Sequence, residues 1–324
     1  MNEPAISAIV ITPDTWHTMG NTLAALQTQT IRAQIQLVLV GPTLEALAVP
    51  DDVLAGFHSV ERVSAPSVSS LGEVTAAGVR GATAPIIALT EDHCYPAPDW
   101  AEKILRRYAE GEWAGVGPTV TNANPNTISS CVQFIMDYGS SSPLGPKGSQ
   151  RQLPGHNSSY RREDLMAYEP DLAWWLEVET ILHWDMVEKG SRLYADPDVH
   201  AFHWNCSRFW PTLQFSWAFS RVFAAYRCAR LTPTERVKLA VLWPLIPLAR
   251  IRRIWPIMTA TLGHARALGA LPAMFLNLVV SGAGEGLGYV SGEAGSLRRC
   301  LDLEFHRGRF LHASERIQVP SQPA

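Results

Sequence analysis

The chain has 324 residues, enough for one large domain or two ordinary ones, and only 18% of them are charged, against about 25% in an average soluble domain. Its formal net charge of −3 leaves no electrostatic footprint for a nucleic-acid partner. Five cysteines (Cys94, Cys131, Cys206, Cys228 and Cys300) stand singly and odd in number, which argues against a disulfide frame or a paired-cysteine zinc site and reads as reduced thiols. The opening Asn2, Glu3 and Pro4 lack the basic-then-apolar pattern of a signal peptide, so the working part of the chain is expected to face the cytosol.

The run 6–11, Ile-Ser-Ala-Ile-Val-Ile, is β-branched and apolar up to Pro13, the pattern of a buried parallel strand. Helical spacing follows over 18–29, a second apolar strand over 35–40 ends at Gly41-Pro42, and a weaker strand lies at 59–63. A helix over 71–81, a strand over 86–89 and a helix over 99–110 entered through Pro98 complete a βαβ alternation. That alternation predicts an α/β fold with a mostly parallel sheet, and ligands of such sheets bind beyond the carboxyl ends of the strands. The Ser/Gly/Pro-rich stretch 140–150 reads as a loop. Helices are expected at 161–167 and 176–189, and a short strand at 193–195.

Four motifs carry chemistry. Glu91-Asp92-His93 directly follows the strand 86–89 and offers oxygen and nitrogen donors for Mg²⁺ or Mn²⁺ and phosphate; the alternative is a polar loop capping the next helix. In Gly155-His156-Asn157 the glycine permits close backbone approach and the asparagine can pair with a hydroxyl-rich ligand, while Arg161 and Arg162 suit phosphate or simply solvent. Trp174-Trp175-Leu176-Glu177-Val178-Glu179 opens a helix ending at Gly190. One of its glutamates is a candidate general base with the tryptophans as sugar platform, or both are first-turn acids on a helix dipole. His203 ends the motif Pro197-Asp198-Val199-His200-Ala201-Phe202-His203 and is either a ligand or a satisfied core histidine.

In this order the four motifs resemble those of the inverting family-2 glycosyltransferases of GT-A fold, over about residues 5–205. The resemblance implies Glu179 as base, with Glu177 second. It implies donor contacts at Pro13, Asp14, Glu91 and Asp92, and acceptor or sugar contacts at Gly155, His156, Asn157 and Trp175. A divalent ion, Mg²⁺ or Mn²⁺, would be held by His93, Asp92 and His203, the choice among Glu91, Asp92 and His93 staying open. Where the family carries an Asp pair after the second strand, this chain has Gly41-Pro42-Thr43, and Asp14 or Glu45 would have to serve the base and ribose. The implied activity is inverting transfer of a sugar from a nucleotide-sugar donor to a saccharide or lipid-linked acceptor hydroxyl. The rival from another class is a non-catalytic nucleotide-sugar binder or membrane scaffold on the same fold.

The texture changes after Trp204, so a catalytic domain is expected over 1–206 and an apolar helical region over 207–324. The apolar stretches 237–249 and 267–280 are interrupted by prolines and fall short of the ~20 residues of a spanning helix. With Arg250, Arg252, Arg253, Trp243 and Trp255 at their edges, they suit peripheral or re-entrant association with the cytoplasmic face of a membrane; the alternative is a buried helical subdomain.

Overall fold

The run at 6–11 has little to offer water, and it is buried on both faces in the computed structural model of the chain, which describes residues 3–66 and 70–316. Asn2 at the predicted N-terminus and positions 317–324 of the predicted C-terminal region lie outside the described residues. The strands are β1 (Ile6–Ile11), β2 (Ile35–Gly41), β3 (Ser59–Ser64), β4 (Ile86–Thr90), β5 (Cys94–Pro96), β6 (Gly115–Asn122), β7 (Gly148–Gln150), β8 (Ser159–Arg161) and β9 (Leu193–His203). The helices that precede β9 in the chain are α1 (Gly20–Gln27), α2 (Asp51–Leu54), α3 (Leu71–Gly81) and α4 (Trp100–Ala109), then α5 (Ile128–Tyr138), α6 (Arg162–Met166), α7 (Leu172–Glu177) and α8 (Glu179–Glu188). Six more follow: α9 (Phe209–Arg227), α10 (Pro233–Leu242), α11 (Ile246–Leu262), α12 (His264–Ser291), α13 (Ser296–Phe305) and α14 (Ala313–Arg316). Two compact units result, one containing Met1–Thr121 and Pro146–His203, the other Asn122–Gly145 and Trp204–Arg316. The segment 122–145, inside the predicted first domain, thus packs with the C-terminal helices.

The first unit is a sheet of order β3-β2-β1-β4-β8-β6-β9-β5, with β7 on β9. Its β3-β2-β1-β4 half is parallel, as the βαβ alternation predicts, but β8 runs antiparallel to β4 and β6, and β5 and β7 antiparallel to β9. The sheet is therefore mixed. The added strands escaped the sequence reading because they are short or, like Gly-Val-Gly-Pro-Thr-Val-Thr-Asn of β6, carry too few apolar side chains to show a period. Ile6, Ala8 and Val10 face a core shared with Met19, Leu23, Leu26, Trp100 and Ile104. Gly78 of α3 lies so close to Ile9 and Val40 that a Cβ would meet Ile9 Cγ2 at 2.6 Å, which seats α3 directly on the opposite face.

The second unit is helical. The predicted break occurs at Pro244 and Pro247, where α10 gives way to the turn Trp243–Leu245 and α11 begins, but not further on: α11 continues through Pro256 and α12 through Pro272. A proline forfeits one backbone hydrogen bond, and packing along α12 outweighs that loss. Gly284 and Gly288 bring α12 against the backbone of Trp217 and Arg221 in α9, while Gly282 and Gly286 meet Trp243. Serine pairs bridge the same seam, with Ser216 donating to Asn277 Oδ1 (3.0 Å) and Ser220 2.6 Å from Ser281. At 28 residues, α12 is long and apolar enough to cross a membrane, and 44% of its most apolar window is buried within the protein. Arg250, expected at a bilayer edge, instead turns inward, donating to buried Glu285 (2.6 Å) and to Ser281 (2.8 Å).

Candidate functional site

Three strand ends converge where the sheet rule places a ligand. Parallel pairing sets Val10 of β1 beside Thr90 of β4, so Thr12-Pro13-Asp14 and Glu91-Asp92-His93 leave neighbouring strands at the same edge. The antiparallel ladder of β5 with β9 puts Cys94 opposite His203 and thereby brings His203 to His93, their rings edge-on at 4.7 Å. Pro197 in the middle of β9 falls between the β7 and β5 pairings, so its missing N–H costs neither ladder a bond.

Glu91, His93 and His203 each present a ligand atom, and those atoms lie within 4.8 Å of one another. His203 Nε2 is 3.2 Å and His93 Nε2 3.9 Å from the two oxygens of Glu91. Asp92 stays outside this trio. Its Oδ1 holds His93 Nδ1 at 2.6 Å, which leaves Nε2 facing Glu91, the arrangement in which a carboxylate orients a ligating imidazole. Burial works against ionisation of Glu91, but the charge of His93, the hydrogen bond and charge of His203 and the charge of His156 hold its carboxyl well below the usual range. Thr22 of α1 anchors the turn from behind, donating to the carbonyls of Glu91 (3.0 Å) and Cys94 (3.2 Å). No local signal marks a threonine inside a helix for that task.

The turn Gly155–Asn157 joins this cluster to a buried carboxylate. Asn157 Nδ2 donates to Glu91 Oε2 at 2.5 Å and its Oδ1 accepts from Glu91 N at 3.4 Å, while Leu89 N–H donates to the Ser158 carbonyl at 2.9 Å. One residue earlier, His156 Nδ1 lies 2.6 Å from Glu179 Oε1. Gly155 is required there because a Cβ would stand 2.6 Å from Glu179 Oε2. Glu91 and Glu179 thus bind consecutive residues of one turn.

The chain has the GT-A glycosyltransferase fold. It is similar over 88% of its length, and 88% of the other chain, to the mannosyltransferase PcManGT from Pyrobaculum calidifontis in complex with GDP-Man and Mn²⁺, at 15% identity and a TM-score of 0.52. It is also similar to S. aureus TarS 1-349 in complex with UDP (11% identity, 85% of this chain and 90% of that one, TM-score 0.47). A third similar structure is GalNAc-T7 with UDP, GalNAc and Mn²⁺ (14% identity, TM-score 0.46), where the match covers 62% of this chain and 43% of the other. No protein-family model and no curated protein matches the chain.

On this GT-A frame the two candidate glutamates have different surroundings. The single predicted helix over 176–189 is two helices, because Val178 takes φ −136° and ψ 83° and breaks it. Glu177 is then the last residue of α7, while Glu179 stands in the first turn of α8, as the helix-dipole alternative expects. Glu177 accepts from Gly72 N at 2.7 Å at the start of α3, and burial raises its carboxyl above the ordinary range despite that bond. Glu179 opens α8 beside His156. One turn further along α8, buried His183 accepts from Leu153 N at 3.4 Å and lies 2.8 Å from Tyr160 Oη, and burial lowers its pKa to about 3. The spacing of four from Glu179 was the available signal for this residue.

Other predicted contacts are used structurally. Arg161 and Arg162, expected to suit phosphate or solvent, donate to the carbonyls of Trp113 (3.0 Å) and Ala82 (2.7 Å). Trp175, expected as a sugar platform, packs edge-on to Tyr168 and Trp174, with Lys189 over its ring. Pro13 is half-buried and Asp14 exposed at the end of β1, and Glu45 is exposed beyond β2.

Proposed function

We propose that the chain transfers a sugar from a nucleoside-diphosphate donor to an acceptor hydroxyl, with inversion, at the cytoplasmic face of a membrane. The observation that carries this reading is the Gly155–Asn157 turn, which holds a carboxylate–imidazole cluster by one residue and a buried glutamate by the one before it. Two imidazoles and a carboxylate form a donor set suited to a divalent ion, and to Mn²⁺ better than to Mg²⁺. Glu91, His93 and His203 would hold that ion, whose charge would offset the charge gathering on the diphosphate. Pro13 and Asp14, at the neighbouring strand end, would contact the nucleoside side of the donor.

Glu179 takes the proton from the acceptor hydroxyl as that oxygen bonds to the anomeric carbon. The bond from that carbon to the diphosphate oxygen breaks, and the nucleoside diphosphate leaves with the electron pair. A single displacement of this kind inverts the centre. His156 holds one oxygen of Glu179 and Gly155 leaves the other without a neighbouring side chain on that side, so one face of the carboxylate is kept for the acceptor. Asn157 keeps the turn in register with Glu91. The acceptor we propose is a saccharide or lipid-linked hydroxyl, the lipid-linked choice resting on the membrane placement proposed here.

The test is a panel of UDP- and GDP-sugars with Mn²⁺, following release of nucleoside diphosphate and calorimetric binding. Turnover should need the metal and fall ~10²–10⁴-fold in Glu179→Gln, the usual contribution of a positioned base, with donor affinity retained. Tight binding without turnover on any acceptor would favour the non-catalytic rival. Failure to bind any donor in Mn²⁺ would refute both.

A further inference from the structure

Between Arg236 and Gly284 the chain contains no aspartate or glutamate, yet carries Arg236, Lys238, Arg250, Arg252, Arg253 and Arg266. In a chain of net charge −3 this is a long segment of one sign. It folds as α10, the turn Trp243–Leu245 and α11, and the joints stay near helical: φ/ψ is −82°/0° at Leu242, −53°/−32° at Trp243 and −84°/−18° at Leu245. Side chains three and four apart therefore keep sharing a face across the joints. Along that face the protein exposes Val237 (63%), Val241 (69%), Leu245 (57%) and Leu248 (58%), with Leu242 (50%) beside them. Lys238 is exposed near one end of the row, and Arg252 and Arg253 at the other. The residues turned inward are Pro247, Ile254 and Met258, together with Arg250 on Glu285. Isolated exposed leucines need no explanation, but a continuous apolar row does.

We propose that this row lies in the plane of an anionic bilayer surface, with Val241, Leu242, Leu245 and Leu248 among the upper acyl chains and Lys238, Arg252 and Arg253 against the headgroups. An apolar centre with cationic ends is the composition of an in-plane interfacial helix; the acid that flanks it, exposed Glu235, accepts from Thr232 N (2.8 Å) in the cap of α10. Charge complementarity selects an anionic lipid surface over a second copy of this chain, whose same face would set like charges together. The inference rests on the membrane placement in the reading above and identifies the surface responsible. It does not depend on the chemistry at Glu179.

The experiment floats the full chain with vesicles of phosphatidylcholine alone and of phosphatidylcholine with phosphatidylglycerol, at low and high salt. Flotation is expected only with the anionic vesicles and should weaken in high salt. Val241→Glu with Leu245→Glu should lower partitioning by ~tenfold or more, since each interfacial CH₂ group matters several-fold. Arg252→Ala with Arg253→Ala should lower it less and flatten the salt dependence. Both variants change exposed side chains, and unchanged Mn²⁺ binding and melting behaviour would verify that they fold. If the parent floats and the glutamate variant floats equally well, this surface is wrong while membrane placement stands. Absence of flotation from anionic vesicles overturns both, and leaves the transferase reading to its own donor assay. Release from membranes by detergent alone would mean that α12 spans, and a dimer dispersed by Val241→Glu without lipid would mean that a second copy covers the row; either overturns the proposal.

Discussion

Gly155→Ala tests the site most directly, because the structure supplies its geometry. The added methyl would lie 2.6 Å from Glu179 Oε2, 2.7 Å from its Cδ and 3.1 Å from Oε1. Relaxed contacts of carbon begin near ~3.5 Å, so the carboxylate has to retreat by roughly 0.9 Å. It has little freedom to do so, because Oε1 is held by His156 at 2.6 Å. The turn itself is pinned by Ser158 N to the Gly155 carbonyl (3.2 Å) and by Leu89 N to the Ser158 carbonyl (2.9 Å). Displacement of a reacting group by about 1 Å costs ~10²-fold in rate, and overpacking of this kind costs ~1–3 kcal/mol in stability. The expected result is a ~100-fold fall in turnover of the donor found in the panel, with Mn²⁺ affinity close to the parent's. Steady-state kinetics and Mn²⁺ calorimetry on the same preparation check it. An alanine variant that folds and turns over like the parent would show that Glu179 is not held where its carboxylate matters.

Three further outcomes follow from the site and its surroundings. His203→Ala and Glu91→Ala should each abolish saturable Mn²⁺ binding while Asp92→Asn only weakens it, because in the proposed site the first two would supply ligand atoms whereas Asp92 only holds His93 Nδ1; calorimetry with Mn²⁺ alone decides, and equal losses would contradict the split. Glu177 has its carboxyl raised by burial, so its ionised form is a cost to folding at neutral pH, and the stability its protonated form contributes is lost as pH rises through the folded-state value. Glu177→Gln should therefore melt at or above the parent at pH 7, whereas Glu177→Ala leaves Gly72 N–H without its acceptor and opens a cavity, costing ~2–4 kcal/mol in urea denaturation. His183 stays neutral in the fold with a pKa of about 3, while the unfolded chain binds a proton near ~6.5. Stability should be full above that value and fall by about 1.4 kcal/mol per pH unit towards pH 3. Urea midpoints at pH 7 and pH 5 measure the slope, and a His183→Gln protein with the parent's slope would refute the assignment.

The sequence by itself determined the parallel half of the sheet and the strand end at which the acids and imidazole of 91–93 stand. Runs such as Ile6–Ile11 and Ile35–Gly41 bury both faces and admit no other partner than neighbouring strands and covering helices. The periodicity over Leu71–Gly81 was equally plain, and the acids and imidazole at 91–93 stand out because they end an apolar strand. The antiparallel half was not legible, since three-residue strands such as β5, β7 and β8 carry no period of their own and exist only because β4 and β9 offer them edges. The same limit hid the length of β9, and with it the delivery of His203 to His93. Helix propensity alone could not tell Glu177 from Glu179, because what separates them is their tertiary partners: Gly72 N–H of α3 for Glu177 and His156 for Glu179, on either side of the break at Val178. Prolines 256 and 272 read as stops, yet helices α11 and α12 run through them, because one lost backbone bond is small against the contacts of a long packed helix. Residue type and order set which groups were available, and long-range contacts decided which of them meet, because a side chain's partner depends on the strand or helix that packing places beside it.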